Sequence, residues 1–248
     1  MAIGGLLLLH GLLFLEDFSL VSLSPLLLVF LGAQVLLRGD LVPSTNARTF
    51  GITRGNVESA TLTMNSGEID VRLRAFPPEM NERLVIGQYA SQARPELALD
   101  GTHAYLTFDR AKTSWFTFAD WDIGLSPAMP WSLLLSASFG QLDVDLAEVI
   151  VQDVRVYAGV GDVRIVAPRE CLGDGVQVRT TLGNIQWLTP NGYRVEVYVQ
   201  EGRFSKAHVD PTRYERLENG AWSALSYDES LPAVKVDLRG QFGDVYLA

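Results

Sequence analysis

Apolar and polar residues alternate with a period of two along most of the last two-thirds of the chain. Such alternation is typical of strands that bury one face. The runs form a repeated cassette, in which three alternate core positions precede a glycine and two more follow it. The clearest copies are Leu133, Leu135, Ala137, Gly140, Leu142 and Val144; Val154, Val156, Ala158, Gly161, Val163 and Ile165; and Val176, Val178, Thr180, Gly183, Ile185 and Trp187. Each copy predicts two strands joined at a glycine corner.

The corner glycines recur at a nearly fixed interval. Gly140, Gly161, Gly183 and Gly202 are separated by 21, 22 and 19 residues, and the step from Gly202 to Gly243 is 41 residues, close to two more units. A period near 20 residues in β-type sequence is typical of coils that stack and bury their apolar edges on their neighbours. The sequence therefore predicts an all-β fold, a β-solenoid of short coils.

Aligned corners also predict which outward side chains meet. Asp143, Arg164 and Gln186 take the same outward position on successive coils. Opposite charges directly across neighbouring strands stabilise a sheet by roughly 0.2–1 kcal/mol. We therefore expect Asp143 and Arg164 on adjacent strands with side chains on one face. The strand pair that ends at Ala248 is expected to close or cap the stack.

The first 39 residues differ from the rest because they carry only three charged side chains, Glu16, Asp17 and Arg38. Two aliphatic runs flank a polar turn, and Pro25 follows a serine in an arrangement that starts helices. We interpret residues 1–39 as a membrane-embedded helical hairpin, residues 40–56 as a linker and residues 57–248 as the β domain. A single span over residues 18–37 is the alternative. The candidates for close helix contact in the hairpin are Gly4, Gly5, His10, Gly11, Gly32 and Ala33.

The periodicity is weakest between residues 74 and 131, where prolines interrupt it, although strand-like runs remain at residues 84–86, 97–99 and 104–108. Five large rings fall within this region: Trp115, Phe116, Phe118, Trp121 and Trp131. Exposed together, they would form an interaction patch for a protein or for lipid. Alternatively, they would plug the membrane-proximal end of the stack.

The composition and charge of the chain exclude several classes of function. The net charge is −9 and no run of four basic residues occurs, which argues against a nucleic-acid partner. The single cysteine, Cys171, cannot form an internal disulfide and has no activating neighbour in the sequence, so we expect it to be inert. The three histidines, His10, His103 and His208, have no second histidine or cysteine at ligand spacing, so no metal site is expected.

No catalytic motif stands out, since a nucleophile elbow, a P-loop and a dinucleotide fingerprint are all missing from the sequence. Asp143 and Asp145 share one face of a strand, and we interpret them as its solvated half. Asp70, Asp162 and Asp244 receive the same interpretation. We therefore expect a protein that is not an enzyme and has no catalytic residues and no cofactor.

Several segments resemble LiaF-like bacterial membrane proteins. Residues 3–15 and 25–32 resemble their short membrane hairpin. From Trp121 onward the chain resembles their carboxy-terminal toast-rack β domain; the matching segments are residues 123–130, 142–146, 159–168, 182–185 and 242–247. The resemblance implies a membrane-bound regulator of envelope-stress signalling, typically a partner or inhibitor of a two-component sensor kinase.

These observations together predict a membrane-anchored scaffold or regulator in the bacterial cytoplasmic membrane. Its expected partners are the lipid bilayer and a membrane protein, either a sensor kinase or a larger complex in which this chain is a structural accessory subunit. A second alternative is a ligand-binding protein with its site in residues 75–131. Arginines follow the second aliphatic run, and this favours the cytoplasmic side for the β domain. A β domain on the other side of the membrane is the alternative.

Overall fold

The computed structural model describes residues 48–89, 95–110 and 120–248, all within one compact unit. The predicted hairpin, with its candidate contacts Gly4, Gly5, His10, Gly11, Gly32 and Ala33, lies outside the described residues. Among the residues that are described, no helix is long and apolar enough to cross a membrane.

The described residues are almost entirely strands and loops, and a 3-10 turn lies at Pro78–Met80. The strands are β1 (Arg48–Thr53), β2 (Ser59–Asn65), β3 (Val71–Ala75), β4 (Arg83–Tyr89), β5 (Glu96–Asp100), β6 (His103–Asp109), β7 (Trp121–Leu125), β8 (Trp131–Phe139), β9 (Leu142–Asp145), β10 (Val151–Val160), β11 (Val163–Val166), β12 (Cys171–Leu182), β13 (Ile185–Leu188), β14 (Val195–Phe204), β15 (Ala207–Val209), β16 (Tyr214–Arg216), β17 (Trp222–Ala224), β18 (Val234–Phe242) and β19 (Val245–Leu247). The all-β prediction is confirmed, and so are the three strand-like runs, which lie in β4, β5 and β6.

Two sheets enclose one core. The nine-stranded sheet has the order β1-β4-β7-β3-β9-β11-β13-β19-β15, and the ten-stranded sheet has the order β16-β17-β14-β18-β12-β10-β8-β2-β6-β5. Alternate side chains of both sheets point inward and pack together in a single buried cluster. Each coil supplies a long strand to the ten-stranded sheet and, after a corner, a short strand to the nine-stranded sheet.

Equivalent strands one coil apart pair in parallel and in register, as stacked coils require. Val156 of β10 lies between Leu135 of β8 and Val178 of β12. On the other sheet, Arg164 is the Cα partner of Asp143, and its Nη1 donates a hydrogen bond of 2.7 Å to Asp143 Oδ1. The predicted contact between these two residues is therefore confirmed.

The order of the coils differs from the sequence order at the carboxyl end. The strand pair β18–β19 lies between β12–β13 and β14–β15, so the prediction that it caps the stack is wrong. The alternation and the corner are alike in every copy, and for that reason they do not encode which copies become neighbours. A long connection that contains β15, β16 and β17 leads from β14 to β18. It returns the chain to the stack between β12 and β14.

Gly202 is also not a corner. It lies inside β14, at a point where the register with β18 shifts, and the chain turns at Ser205 instead. Phe204 aligns with Phe242, and Ala207 aligns with Val245, so Ser205 takes the place that Gly243 has in the neighbouring coil. Among the described residues, only glycines have a positive φ, so the chain passes Ser205 with a backbone conformation different from that of the glycine corners, and a residue with a side chain is tolerated there.

The inner corners require glycine for two reasons. Gly140, Gly161, Gly183 and Gly243 have φ values of 141°, 141°, 143° and 120°, which L side chains rarely adopt. In addition, a Cβ at Gly161 would overlap the carbonyl oxygen of Gly140, and one at Gly183 would overlap that of Gly161. Successive corners therefore lie directly against each other.

A ladder of short polar side chains runs beside these glycines. Asp162 Oδ1 accepts a hydrogen bond of 2.7 Å from the backbone N–H of Asn184, and Asn184 Oδ1 accepts one of 2.9 Å from Asp244. Asp244 Oδ1 in turn accepts from Lys206 at 3.0 Å, and Asp70 Oδ1 accepts from Gln141 at 2.7 Å. These polar residues are therefore more than a solvated face, because each one satisfies a backbone donor of the next coil.

The corner geometry predicts a large stability loss for Gly161→Ala. Gly220→Ala is the matched control, since Gly220 also has a positive φ of 83° but has nothing within 4 Å of its Cβ position. We expect Gly161→Ala to lower the free energy of unfolding by about 2 kcal/mol more than Gly220→Ala, because the backbone of two coils must move apart. Urea unfolding followed by tryptophan fluorescence measures the difference. Equal losses in the two variants would contradict the close stacking of corners.

Candidate functional site

Two of the five rings predicted to form an interaction patch lie in the core. Trp121 and Trp131 are fully buried, as the first inward residues of β7 and β8. Trp131 Nε1 donates a hydrogen bond of 2.9 Å to the carbonyl oxygen of Ser126, and the Trp121 ring lies 5.7 Å from that of Phe108. The prediction of an exposed patch is therefore wrong for these two residues, whose alternation places them inside. Trp115, Phe116 and Phe118 lie outside the described residues.

A row of exposed apolar side chains lies at the glycine corners. The residue before each corner should point inward by alternation, but the turn of the chain leaves it 40–62% exposed. These residues are Phe139, Val160, Leu182, Phe242 and Phe204, and they are partners on five adjacent strands. The rings of Phe204 and Phe242 stack with centroids 5.3 Å apart. We call this row the corner ridge.

Two arginines lie beside the corner ridge on the outer face of the ten-stranded sheet. Arg179 of β12 and Arg239 of β18 are direct Cα partners, and neither has an ion-pair or hydrogen-bond partner among the described residues. They line a shallow cavity of about 430 Å³ with hydroxyl groups from Ser136, Tyr157 and Thr181. This arginine pair places two like charges side by side, an arrangement that destabilises a sheet unless an anion approaches.

An apolar groove lies at the other end of the stack, on the outer face of the nine-stranded sheet. Its volume is about 580 Å³, and strands β1, β3, β4 and β7 contribute its walls. Phe50, Phe76 and Ile86 supply apolar side chains, while Gly87 and Gly124 leave part of the floor without any. An ion pair of 3.0 Å between Arg74 and Asp122 forms its charged rim. Most of the lining residues lie between residues 74 and 131, where the periodicity of the sequence is weakest.

The two described histidines form hydrogen bonds with side chains of neighbouring strands. His103 contacts Ser59 Oγ through Nδ1 at 2.7 Å and Thr61 Oγ1 through Nε2 at 2.9 Å. His208 Nε2 lies 2.8 Å from Asp244 Oδ2, and this hydrogen bond holds the pKa of Asp244 below its ordinary value. Within residues 48–89, 95–110 and 120–248, no three histidine, cysteine or carboxylate side chains are close enough to share a metal ion.

Comparison with known proteins identifies the domain. Residues 47–170, half of the chain, match the family described as "N-terminal domain of toast_rack, DUF2154". The chain belongs to this toast-rack family. The match covers both the irregular region and the first regular coils, so the groove and the start of the corner ridge lie within the family domain.

A solved structure of a bacterial protein shows the same fold. A candidate cell adhesion protein from Clostridium sporogenes is similar with a TM-score of 0.68 at 16% identity, over 82% of this chain and 98% of that chain. A candidate adhesin from Bacteroides fragilis matches at 15% identity over 83% and 99% of the two chains, with a TM-score of 0.35. At such identity the likeness to the Clostridium protein shows a common toast-rack fold alone. No curated protein matches the chain.

The environment of Cys171 predicts a slow thiol. Burial raises the pKa of this thiol above its ordinary value, and Sγ donates a hydrogen bond of 3.2 Å to the carbonyl oxygen of Gln152. A raised pKa means that less thiolate is present at neutral pH, and the thiolate is the reactive form. We expect an aromatic disulfide reagent to react with the folded protein several-fold more slowly than with the urea-unfolded chain at pH 7. Equal rates would contradict the inert environment.

Proposed function

We propose that this toast-rack protein is a non-enzymatic, membrane-anchored scaffold or regulator that recognises a partner protein through the groove of β1, β3, β4 and β7. The groove carries the proposal because it combines an apolar floor and walls with a charged rim, which is how protein interaction sites are built. Ile86, which shares a face of the sheet with Gly124, would contact an apolar side chain of the partner. Arg74 and Asp122 would orient it at the edge.

The membrane anchorage rests on the apolar character of residues 1–39 and on their resemblance to the hairpin of LiaF-like proteins. That resemblance supports a role beside a two-component sensor kinase in the bacterial cytoplasmic membrane. The arginines that follow the second aliphatic run support the cytoplasmic side for the toast-rack domain. A structural accessory subunit of a larger membrane complex is the alternative in which the same groove binds a fixed neighbour.

Ligand binding is a second candidate function. The groove volume of about 580 Å³ lies in the range of small-molecule sites, and most of the residues that line the groove lie within residues 75–131, the region predicted to hold a ligand site. A small apolar ligand would fill the groove beside Ile86 without a partner protein.

Capture from detergent-solubilised membranes tests these roles with the full chain as bait. Ile86→Glu places a charge in the groove, whereas Gln186→Glu places the same charge on the same sheet far from it, and serves as the matched control. Because burying an unpaired carboxylate opposes binding, we expect Ile86→Glu to reduce partner recovery about tenfold or more and Gln186→Glu to leave it unchanged.

The identity of the captured protein separates the alternatives. A sensor kinase supports regulation, and stoichiometric recovery with one large complex supports the accessory-subunit role. Equal recovery by both variants would contradict the groove as the recognition site. Retention of a small apolar molecule by the wild-type chain, lost in Ile86→Glu without any protein partner, would favour ligand binding.

The side of the membrane is tested by cysteine labelling. Glu148 lies exposed in the loop after β9, so Glu148→Cys in a Cys171→Ser background provides one accessible thiol in the described domain. We expect a membrane-impermeant maleimide to label this variant in permeabilised cells and not in intact cells. Labelling of intact cells would contradict the cytoplasmic placement.

A further inference from the structure

We infer that the corner ridge and the arginine pair beside it dock the toast-rack domain onto the headgroup region of an anionic lipid bilayer. The inference rests on the proposed membrane anchorage of the chain and adds a second contact, made by the domain itself. It assigns the ridge and the pair a common ligand, the phosphate groups and upper acyl region of anionic phospholipids.

The ridge supplies the apolar part of this surface. Its five side chains lie on adjacent strands, whose spacing of about 4.8 Å gives a row roughly 20 Å long. Phenylalanine and leucine side chains at the border of a polar surface are the groups that enter the boundary between headgroups and acyl chains. Four of the five positions carry phenylalanine or leucine, and three of these lie on adjacent strands: Leu182, Phe242 and Phe204.

Positive charge is concentrated along the same part of the edge. Arg179 and Arg239 lie three residues before Leu182 and Phe242, and Arg203 directly precedes Phe204, with its guanidinium 5.7 Å from the centre of that ring. Lys206 follows at the next turn, and it is exposed. The chain as a whole carries a net charge of −9, so this local cluster opposes the overall balance. Basic side chains next to an apolar row match the negative surface potential of anionic membranes.

Asp244 lies close to Lys206, but among the described residues no carboxylate forms an ion pair with Arg179, Arg203 or Arg239. Asp237 lies on the same face as Arg239, and its Oδ2 accepts a long hydrogen bond of 3.5 Å from Gln200, while its Oδ1 is buried and has no partner among the described residues. Glu201 Oε1 accepts a hydrogen bond from the backbone N–H of Ala207 at 3.1 Å. Both acids are therefore held back from the edge that the arginines present.

A bilayer fits this surface better than a second copy of the chain. A two-fold contact of ridge against ridge would bring the arginine clusters of both copies to the same interface, where like charges repel. A bilayer instead offers phosphates to every basic side chain along the row. The proposed anchor at residues 1–39 would keep the domain at the membrane, and such tethering makes even a weak second contact effective.

The test follows an environment-sensitive dye on the corner ridge of the full chain. Val160→Cys in a Cys171→Ser background places the dye near the middle of the ridge, and Gln186→Cys places it on the outer face of the other sheet. The protein is mixed with vesicles of phosphatidylcholine alone or of phosphatidylcholine with one-third phosphatidylglycerol. We expect a blue shift and quenching by brominated acyl chains for the Val160→Cys dye in anionic vesicles only, and no change at Gln186→Cys.

Charge variants test the arginine pair. Arg179→Gln with Arg239→Gln should reduce the anionic-vesicle response of the ridge dye roughly fivefold or more. Arg72→Gln with Arg164→Gln changes the net charge equally, on the opposite sheet, and should leave the response unchanged. Thermal unfolding of each variant shows that the domain stays folded, so a lost response reports lost docking.

Each other outcome overturns the inference. If the emission of the ridge dye does not change in anionic vesicles, the inference is wrong, whether or not the protein floats with the vesicles. Flotation with neutral vesicles reports anchorage by the first 39 residues separately, so failure of docking and failure of anchorage are distinguishable. A dye response to inorganic phosphate without vesicles would mean that the arginine pair binds a soluble anion and not a bilayer. Cross-linking of two ridges in lipid-free solution would assign the ridge to a second copy.

Discussion

The close approach of backbone to backbone at the glycine corners is the constraint on which the rest of the structure depends. At Gly161, Gly183 and Gly243, the carbonyl group of the preceding coil occupies the space that a Cβ would need. Coils this close share parallel hydrogen bonds in both sheets, which aligns every inward position from one coil to the next. The buried cluster of valine, leucine and isoleucine side chains then forms as a continuous column.

The corner also decides what the surface offers. Where the chain turns, two successive residues face outward, so an apolar residue that would otherwise be buried becomes exposed beside a polar one, as at Thr181 and Leu182. Repetition of the corner turns this local exposure into a row. The short polar side chains on the far side of the glycine, such as Asp162 and Asn184, complete the backbone hydrogen bonds of the turn. The corner ridge is thus a direct consequence of the stacking and needs no separate structural element.

The sequence predicts the local rules well and the global order poorly. Period-two alternation gives the strands, and corner alignment gives the contact of Asp143 with Arg164, because both depend on residues within one coil and its neighbour. The insertion of β18 next to β12 is invisible to the same pattern, since every cassette looks alike. The sequence predicts Trp121 and Trp131 as members of either an exposed patch or a plug of the stack, because the periodicity around them is weak, and the structure buries both as inward residues of β7 and β8. The ridge does have a signal in the sequence, which is an apolar residue directly before each corner glycine, as in Phe-Gly-Asp and Leu-Gly-Asn. This signal predicts an exposed row only when the turn is known to expose the residue before the glycine.

The spatial separation of the two candidate surfaces has a functional consequence. The groove lies on the outer face of the nine-stranded sheet, beside β1, whereas the ridge and the arginine pair lie at the corners and on the ten-stranded sheet. No residue lines both, so occupation of one surface leaves the side chains of the other free. A domain that lies on the bilayer through its corners would therefore still present the groove to a partner in the same membrane. The rigid stack between them would fix the distance and angle at which that partner is met, which is what a scaffold contributes beyond affinity.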